Sequence, residues 1–166
     1  LGALDWMPNL ESLQWFLKDV WPVVNKLDPS IEFHVAGNNT PNKIMALKAH
    51  NLHIHGKVAS AETFSKSHGV SIIPLLSGSG VRIKLLENGS LGIPTISTAI
   101  GAEGIYEKQN SKIPLSDIPE ELAHEIVALT TNSDKAVQIA RELYTDINKR
   151  FSPQNALASI QKAWPK

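Results

Sequence analysis

Two hydrophobic rhythms alternate along this chain. Leu10, Leu13, Leu17, Val20, Val24 and Leu27 recur three and four apart, the stripe of an amphipathic helix, with Pro8 suited to its first turn. Pro22 falls inside that stripe and is expected to kink the helix or divide it. Continuous apolar runs predict strands instead: "IEFHVAG" at 31–37, "LHIHG" at 52–56, "VSIIPLL" at 70–76 and "PTISTA" at 94–99. Between them, "PNKIMALKAH" at 41–50, "SAETFSKSH" at 60–68 behind a Ser60 cap, and a segment from about Val81 read as short helices. The opening "LGALDW" reads as a strand fragment, as though cut from a longer protein at a domain boundary. From Ile118 onward the pattern is helical, through "PEELAHEIVALTT", "SDKAVQIARELYTDINKRF" and "PQNALASIQKAW", with caps expected at Ser133 and Ser152. Repeated strand–helix–strand units with strands apolar on both faces predict an α/β fold. The expected form is a doubly wound parallel sheet with helices on both faces and a helical C-terminal tail.

Length and charge narrow the function classes. At 166 residues the chain suits one domain with a real core, and sixteen basic residues balance sixteen acidic ones. That balance argues against a polyanion-binding surface, so nucleic acid is not an expected partner and any phosphate site must be local. With no cysteine and no apolar run of bilayer length, the chain reads as soluble and cytoplasmic.

In such a sheet, ligands bind at the loops beyond the carboxyl ends of the strands. "LLSGSGVRIKLLE" occupies such a loop: Gly78 and Gly80 permit close backbone approach to a ligand, and the helix that follows presents positive dipole character at its start. Arg82 and Lys84 add cationic charge there, and Glu87, one to two turns into the helix, suits hydrogen bonds from a vicinal diol such as a ribose. The competing reading is a flexible turn flanked by solvated charges, and spacing alone does not separate the two.

"GSGVRIKLLENGSLGIPTISTAIGAEGI" resembles the donor-binding segment of nucleotide-sugar glycosyltransferases with the GT-B fold, of the retaining group called group 1 or family 4. "LGALDWMPNLESLQWFLKDVWPVV" looks like that family's opening strand, loop and first helix, and "FHVAGNN" with "LHIHGKV" like its second and third strands. The resemblance implies the C-terminal, donor-binding half of a two-domain enzyme, whose N-terminal half would bind the acceptor. It also implies that Glu87 matches the second glutamate of a Glu, seven residues, Glu motif and holds the donor ribose, while Ser79 stands where the first glutamate would fall. Asn88-Gly89-Ser90 replaces the usual Ala-Met-Ala and is expected to end the helix early. The first loop, Asp5 to Asn9, lacks the cations of relatives. Arg82 and Lys84 are expected to serve the diphosphate instead, with Asn9 donating hydrogen bonds and the base lying near Lys57 and Val58.

The resemblance further implies a sugar transferred from an NDP-sugar, in surface polysaccharide or glycolipid assembly, with an acceptor at the cytoplasmic face of a bacterial membrane. No cofactor or metal is expected on this half. His53 and His55 share one face of a strand with His50 nearby, and with no cysteine or acidic residue beside them they read as ordinary strand-end histidines. Trp15 and Trp21 read as packing residues; Trp6 is expected on the cleft loop, and Glu103 either borders the sugar pocket or makes a simple turn. Two other classes stay open: a nucleotide-sugar epimerase of the same architecture, and a non-enzymatic flavodoxin-like regulatory module.

Overall fold

A computed structural model describes residues 1–152 together with 154, 155, 157, 161 and 162, so the helix expected over 153–164 lies largely outside the described residues. The long first stripe forms α1 (Met7–Trp15), a π-helical turn (Phe16–Val20) and α2 (Trp21–Leu27). Pro22 offers no N–H to the ladder, which widens just before it: the Trp21 N–H reaches back five residues to Phe16 O. The expected break is therefore a widened turn, and the helix continues beyond it.

β1 (Phe33–Ala36) and β2 (Leu52–Gly56) pair in parallel, with Phe33 opposite Leu52 and His34 opposite His53. Between them α3 (Asn42–Met45) is shorter than expected. The chain beyond it is drawn back by the Trp21 Nε1 bond to His50 O at 2.9 Å, and turns at Asn51 with φ 49°. α4 (Ala61–Ser67) carries the expected Ser60 cap, whose Oγ accepts from Thr63 N–H at 3.1 Å. β3 (Ser71–Ile73) pairs in parallel with β4 (Thr95–Ser97). β3 is shorter than the apolar run that predicts it, because Pro74 has no N–H for the ladder.

Leu1–Leu4 runs along the edge of β1 that faces away from β2, with Gly2 N–H on Ala36 O and Leu4 N–H on Asn38 O, both at 3.1 Å. Beyond it, across a cavity, lies β3. The strands thus form two parallel pairs, β1 with β2 and β3 with β4, with the first segment beside β1 and the cavity between it and β3.

Helices cover both faces. α1, the π turn and α2 pack with α6 (Pro119–Thr131) around Phe16, Trp21, Val24, Ile96, Leu122 and Ile126. On the other face α5 (Ile83–Leu91) and α7 (Ser133–Arg150) bury Leu85, Leu143 and Ile147 against Ile73 and Leu75. α5 does not stop at Asn88-Gly89-Ser90, as expected from helix propensity; it runs to Leu91 and is capped by Gly92 in the left-handed region, φ 66°. Tertiary contacts override propensity here. Asn88 is buried and donates from Nδ2 to Ser71 Oγ at 2.9 Å, and a Cβ on Gly89 would come 2.5 Å from Ile147 Cγ1, so only glycine lets α7 approach this closely. A second correction concerns α7, whose capping side chain is Asn132, accepting from Lys135 N–H at 3.0 Å, rather than Ser133. Ser152 does cap, accepting from Asn155 N–H at 3.2 Å. Among the described residues, no helix is long and apolar enough to cross a membrane.

Candidate functional site

The loop from Ser77 to Arg82 sits beyond the end of β3, beside the loop that follows Leu1–Leu4, at the carboxyl end of a parallel strand where α/β folds bind ligands. Gly78 and Gly80 have φ of 117° and 89°, backbone that only glycine adopts without strain. A Cβ on Gly78 would lie 3.2 Å from Arg82 Nη1 and 3.6 Å from the Trp6 ring, so the two loops close on one another. Ser77 Oγ adds a tie to α1, donating to Glu11 Oε2 at 2.8 Å. Two helix starts, Met7 of α1 and Ile83 of α5, thus flank one glycine loop. Their first-turn N–H groups have no intrahelical acceptor, which makes the spot favourable for an anion.

A cavity of about 500 Å³ opens beside this loop, and Asn9, Ser79, Arg82, Lys84 and Glu87 all contribute to its wall. Five of the eight residues picked out from the sequence therefore share one space. Gly78 and Gly80 form the adjoining loop, and Val58 lies apart from the cavity, half-buried after β2.

Each side chain has a definite setting. Glu87 is exposed on α5, one turn beyond Lys84. Lys84 is half-buried; desolvation pushes its ammonium below the usual lysine range, and the Glu87 carboxylate works in the opposite direction. Arg82 is only 6% exposed. Its Nε donates to Ile100 O at 2.7 Å, Nη1 to Ser79 O at 3.3 Å and Nη2 to Glu103 Oε2 at 2.8 Å, so it braces the loop against the segment after β4. Asn9 Nδ2 donates to Ala3 O at 2.9 Å and holds the first loop to its strand.

Trp21 is buried against Phe16 and Phe33, as a packing residue should be. Trp6 is on the cleft loop and 48% exposed. Val81 and Ile83 flank Arg82 and are 52% and 68% exposed, so the rim of the site presents apolar surface to solvent. Sequence reasoning passed over this rim, and also over Glu103 as the partner of Arg82 and Thr98, whose Oγ1 donates to Leu75 O at 2.5 Å and accepts from Gly101 N–H at 3.0 Å. Only the alternation of Val81 and Ile83 around Arg82 signals that the arginine faces inward.

Comparison with known proteins places this geometry in context. The family model described as "Glycosyl transferases group 1" matches residues 1–132. A curated relative from Klebsiella pneumoniae, named "Uncharacterized 44.6 kDa protein in cps region", is 26% identical over 171 residues, covering 98% of this chain and 44% of that protein. Among solved structures, TarM superposes with a TM-score of 0.78 at 15% identity, over 100% of this chain and 34% of TarM. An S. aureus TarM variant in complex with fondaparinux, alpha-GlcNAc-glycerol and UDP gives 0.76 at 16% identity, over 99% of this chain and 35% of the other. The chain thus spans less than half the length of these relatives.

Proposed function

The chain belongs to the group 1 glycosyl transferases, and on that premise we propose that it is the domain of a two-domain GT-B enzyme that binds the nucleotide-sugar donor. Family membership decides among the enzyme and regulatory classes that the sequence leaves open, in favour of a glycosyltransferase. One observation carries the donor-binding reading: the glycine loop with its two flanking helix starts and the exposed Glu87 carboxylate border one cavity beyond the carboxyl end of β3.

In this reading the diphosphate rests on backbone N–H groups of the Gly78–Gly80 loop and on the α5 start, with Lys84 supplying charge and Asn9 a donor from the first loop. Glu87 accepts the ribose hydroxyls, a charge-assisted bond that fixes the nucleotide lengthwise. Arg82 acts mainly by holding the loop in shape, because its guanidinium is already engaged by Ile100, Ser79 and Glu103. Such a site accelerates transfer by positioning the donor and stabilising charge on the departing diphosphate, with no covalent protein nucleophile and no metal in the donor site.

The apolar rim of Trp6, Val81 and Ile83 fits a surface that the acceptor-binding half closes over. The cps-region relative supports a role in polysaccharide assembly, and the TarM complex with UDP supports a nucleoside diphosphate as ligand. Retention of configuration and a membrane-associated acceptor belong to the same proposal. The complete protein, incubated with a panel of UDP- and GDP-sugars, should cleave one donor with transfer to an acceptor. Failure of every NDP-sugar to bind would overturn the reading.

A further inference from the structure

His34, His55 and His68 come from three different elements and meet on one patch beside α4. His34 is on β1, His55 on β2 and His68 directly follows α4. One ring nitrogen from each lies within 4.8 Å of the other two. His34 Nδ1 and His55 Nε2 are 3.0 Å apart, and the rings of His34 and His68 have centroids 4.2 Å apart. His50, considered together with His53 and His55 from the sequence, is elsewhere, with Nε2 3.1 Å from Pro29 O.

The hydrogen-bond partners of the rings determine where their lone pairs point. His34 Nε2 lies 3.2 Å from Glu32 Oε2; donating there leaves the lone pair on Nδ1, the atom that faces His55. His68 Nδ1 lies 2.6 Å from Phe64 O, so it carries the proton and leaves the lone pair on Nε2. Both pairings have the form that orients metal-bound imidazoles, a carboxylate or a backbone carbonyl behind the ring. Glu32 is the acidic partner that was not apparent beside His53 and His55 in sequence; it is two residues before His34, immediately ahead of β1.

We propose that His34, His55 and His68 form a binding site for a divalent transition ion of the zinc class, with Glu32 as the carboxylate behind His34. Three nitrogens at about 2.0–2.1 Å from a tetrahedral ion stand roughly 3.3 Å apart, close to the His34–His55 separation, and the fourth position is left for water. The ion would act as a clamp. α4 has no fully buried residue, and its Phe64 ring packs against His55 and His68. An ion shared by β1, β2 and His68 fixes the end of that helix to the sheet.

The test uses the complete protein without an affinity tag, stripped of metal and titrated with Zn²⁺ and with Co²⁺ as an optical probe. The expected result is one ion per chain, the visible absorption of tetrahedral cobalt, and a melting temperature that rises with zinc concentration. His55→Gln, an exposed change, and His34→Ala should each abolish all three signals, Glu32→Gln should weaken binding about 10- to 100-fold, and His50→Ala should change nothing. Absence of stoichiometric binding, or binding retained in His55→Gln and His34→Ala, or binding lost in His50→Ala would overturn the assignment.

Discussion

Arg82 donates through Nη2 to Glu103 Oε2 at 2.8 Å, tying the glycine loop after β3 to the segment after β4. The guanidinium is buried, while half of the carboxylate is open to water. The two partners are therefore not equivalent. Removing Arg82 lets Glu103 return to solvent but leaves Ile100 O and Ser79 O without their donor.

Arg82→Ala is expected to destabilise the fold by about 2–3 kcal/mol, mainly through lost charge-assisted hydrogen bonds. Glu103→Gln, which keeps a hydrogen-bond acceptor at the guanidinium, should cost only about 1 kcal/mol. Chemical denaturation of both variants checks the order. Equal stability of Arg82→Ala and wild type would show that the loop does not depend on this brace.

Gly89→Ala should be destabilising although alanine is the better helix former. The added methyl meets Ile147, and overpacking of this kind costs about 1–3 kcal/mol, more than the roughly 1 kcal/mol gained in propensity. Pairing it with Ile147→Ala, which removes the Cγ1 and Cγ2 that the new methyl meets, should recover part of the loss. A double-mutant cycle measures the coupling, and strict additivity would count against direct contact.

Tyr106, Asp146 and Arg150 give the fold a defined acid response. Tyr106 Oη donates to Asp146 Oδ2 at 2.7 Å, and Arg150 Nη1 reaches the same oxygen at 3.0 Å. Desolvation pushes the Asp146 carboxyl up, but the bonds from Tyr106 and Arg150 outweigh it, and the net position is below the usual aspartate range. A depressed folded value means that the unfolded chain binds the proton more readily. The contribution is therefore complete above the unfolded value near pH 4 and is lost as pH falls through the folded value. Asp146→Asn should be less stable than wild type at neutral pH, with the gap closing on acidification. A gap that is constant from pH 7 to pH 2 would contradict the assignment.

Much of this architecture can be read from the chain because burial and periodicity coincide. β4 is buried throughout and β1 and β3 are buried or half-buried along their length, while β2 leaves one face open at His53 and His55; Gly78 and Gly80 adopt the positive φ that makes glycine necessary. Local patterning fails where long-range contacts decide. Asn88-Gly89 reads as a helix end, yet it is a packing seam set by Ser71 and Ile147, from 17 residues upstream in one case and from the last long helix in the other. Arg82 reads as a free cation because Glu103 is 21 residues away. His53 and His55 read as ordinary strand-end histidines because His34 and His68 join His55 only when β1 and α4 are side by side.

Lys84→Ala separates charge from position within the site. If the ammonium serves the diphosphate, its loss should weaken UDP or GDP binding tenfold or more and leave binding of the bare nucleoside nearly unchanged. Equal effects on nucleoside and diphosphate, measured by calorimetric titration, would assign Lys84 to structural support of the cavity wall.

Titration of Glu87→Gln tests the account most directly. The substitution keeps size and removes charge on an exposed helix position, so folding is expected to be unaffected. If the carboxylate holds the ribose hydroxyls, calorimetry on the complete protein should show about a ten- to hundredfold rise in dissociation constant, the equivalent of roughly 1.5–3 kcal/mol. Nucleoside and nucleoside diphosphate should suffer alike, for whichever of uridine or guanosine the protein accepts. Unchanged affinity in folded Glu87→Gln would contradict the account and return Glu87 to the role of a solvated helix residue.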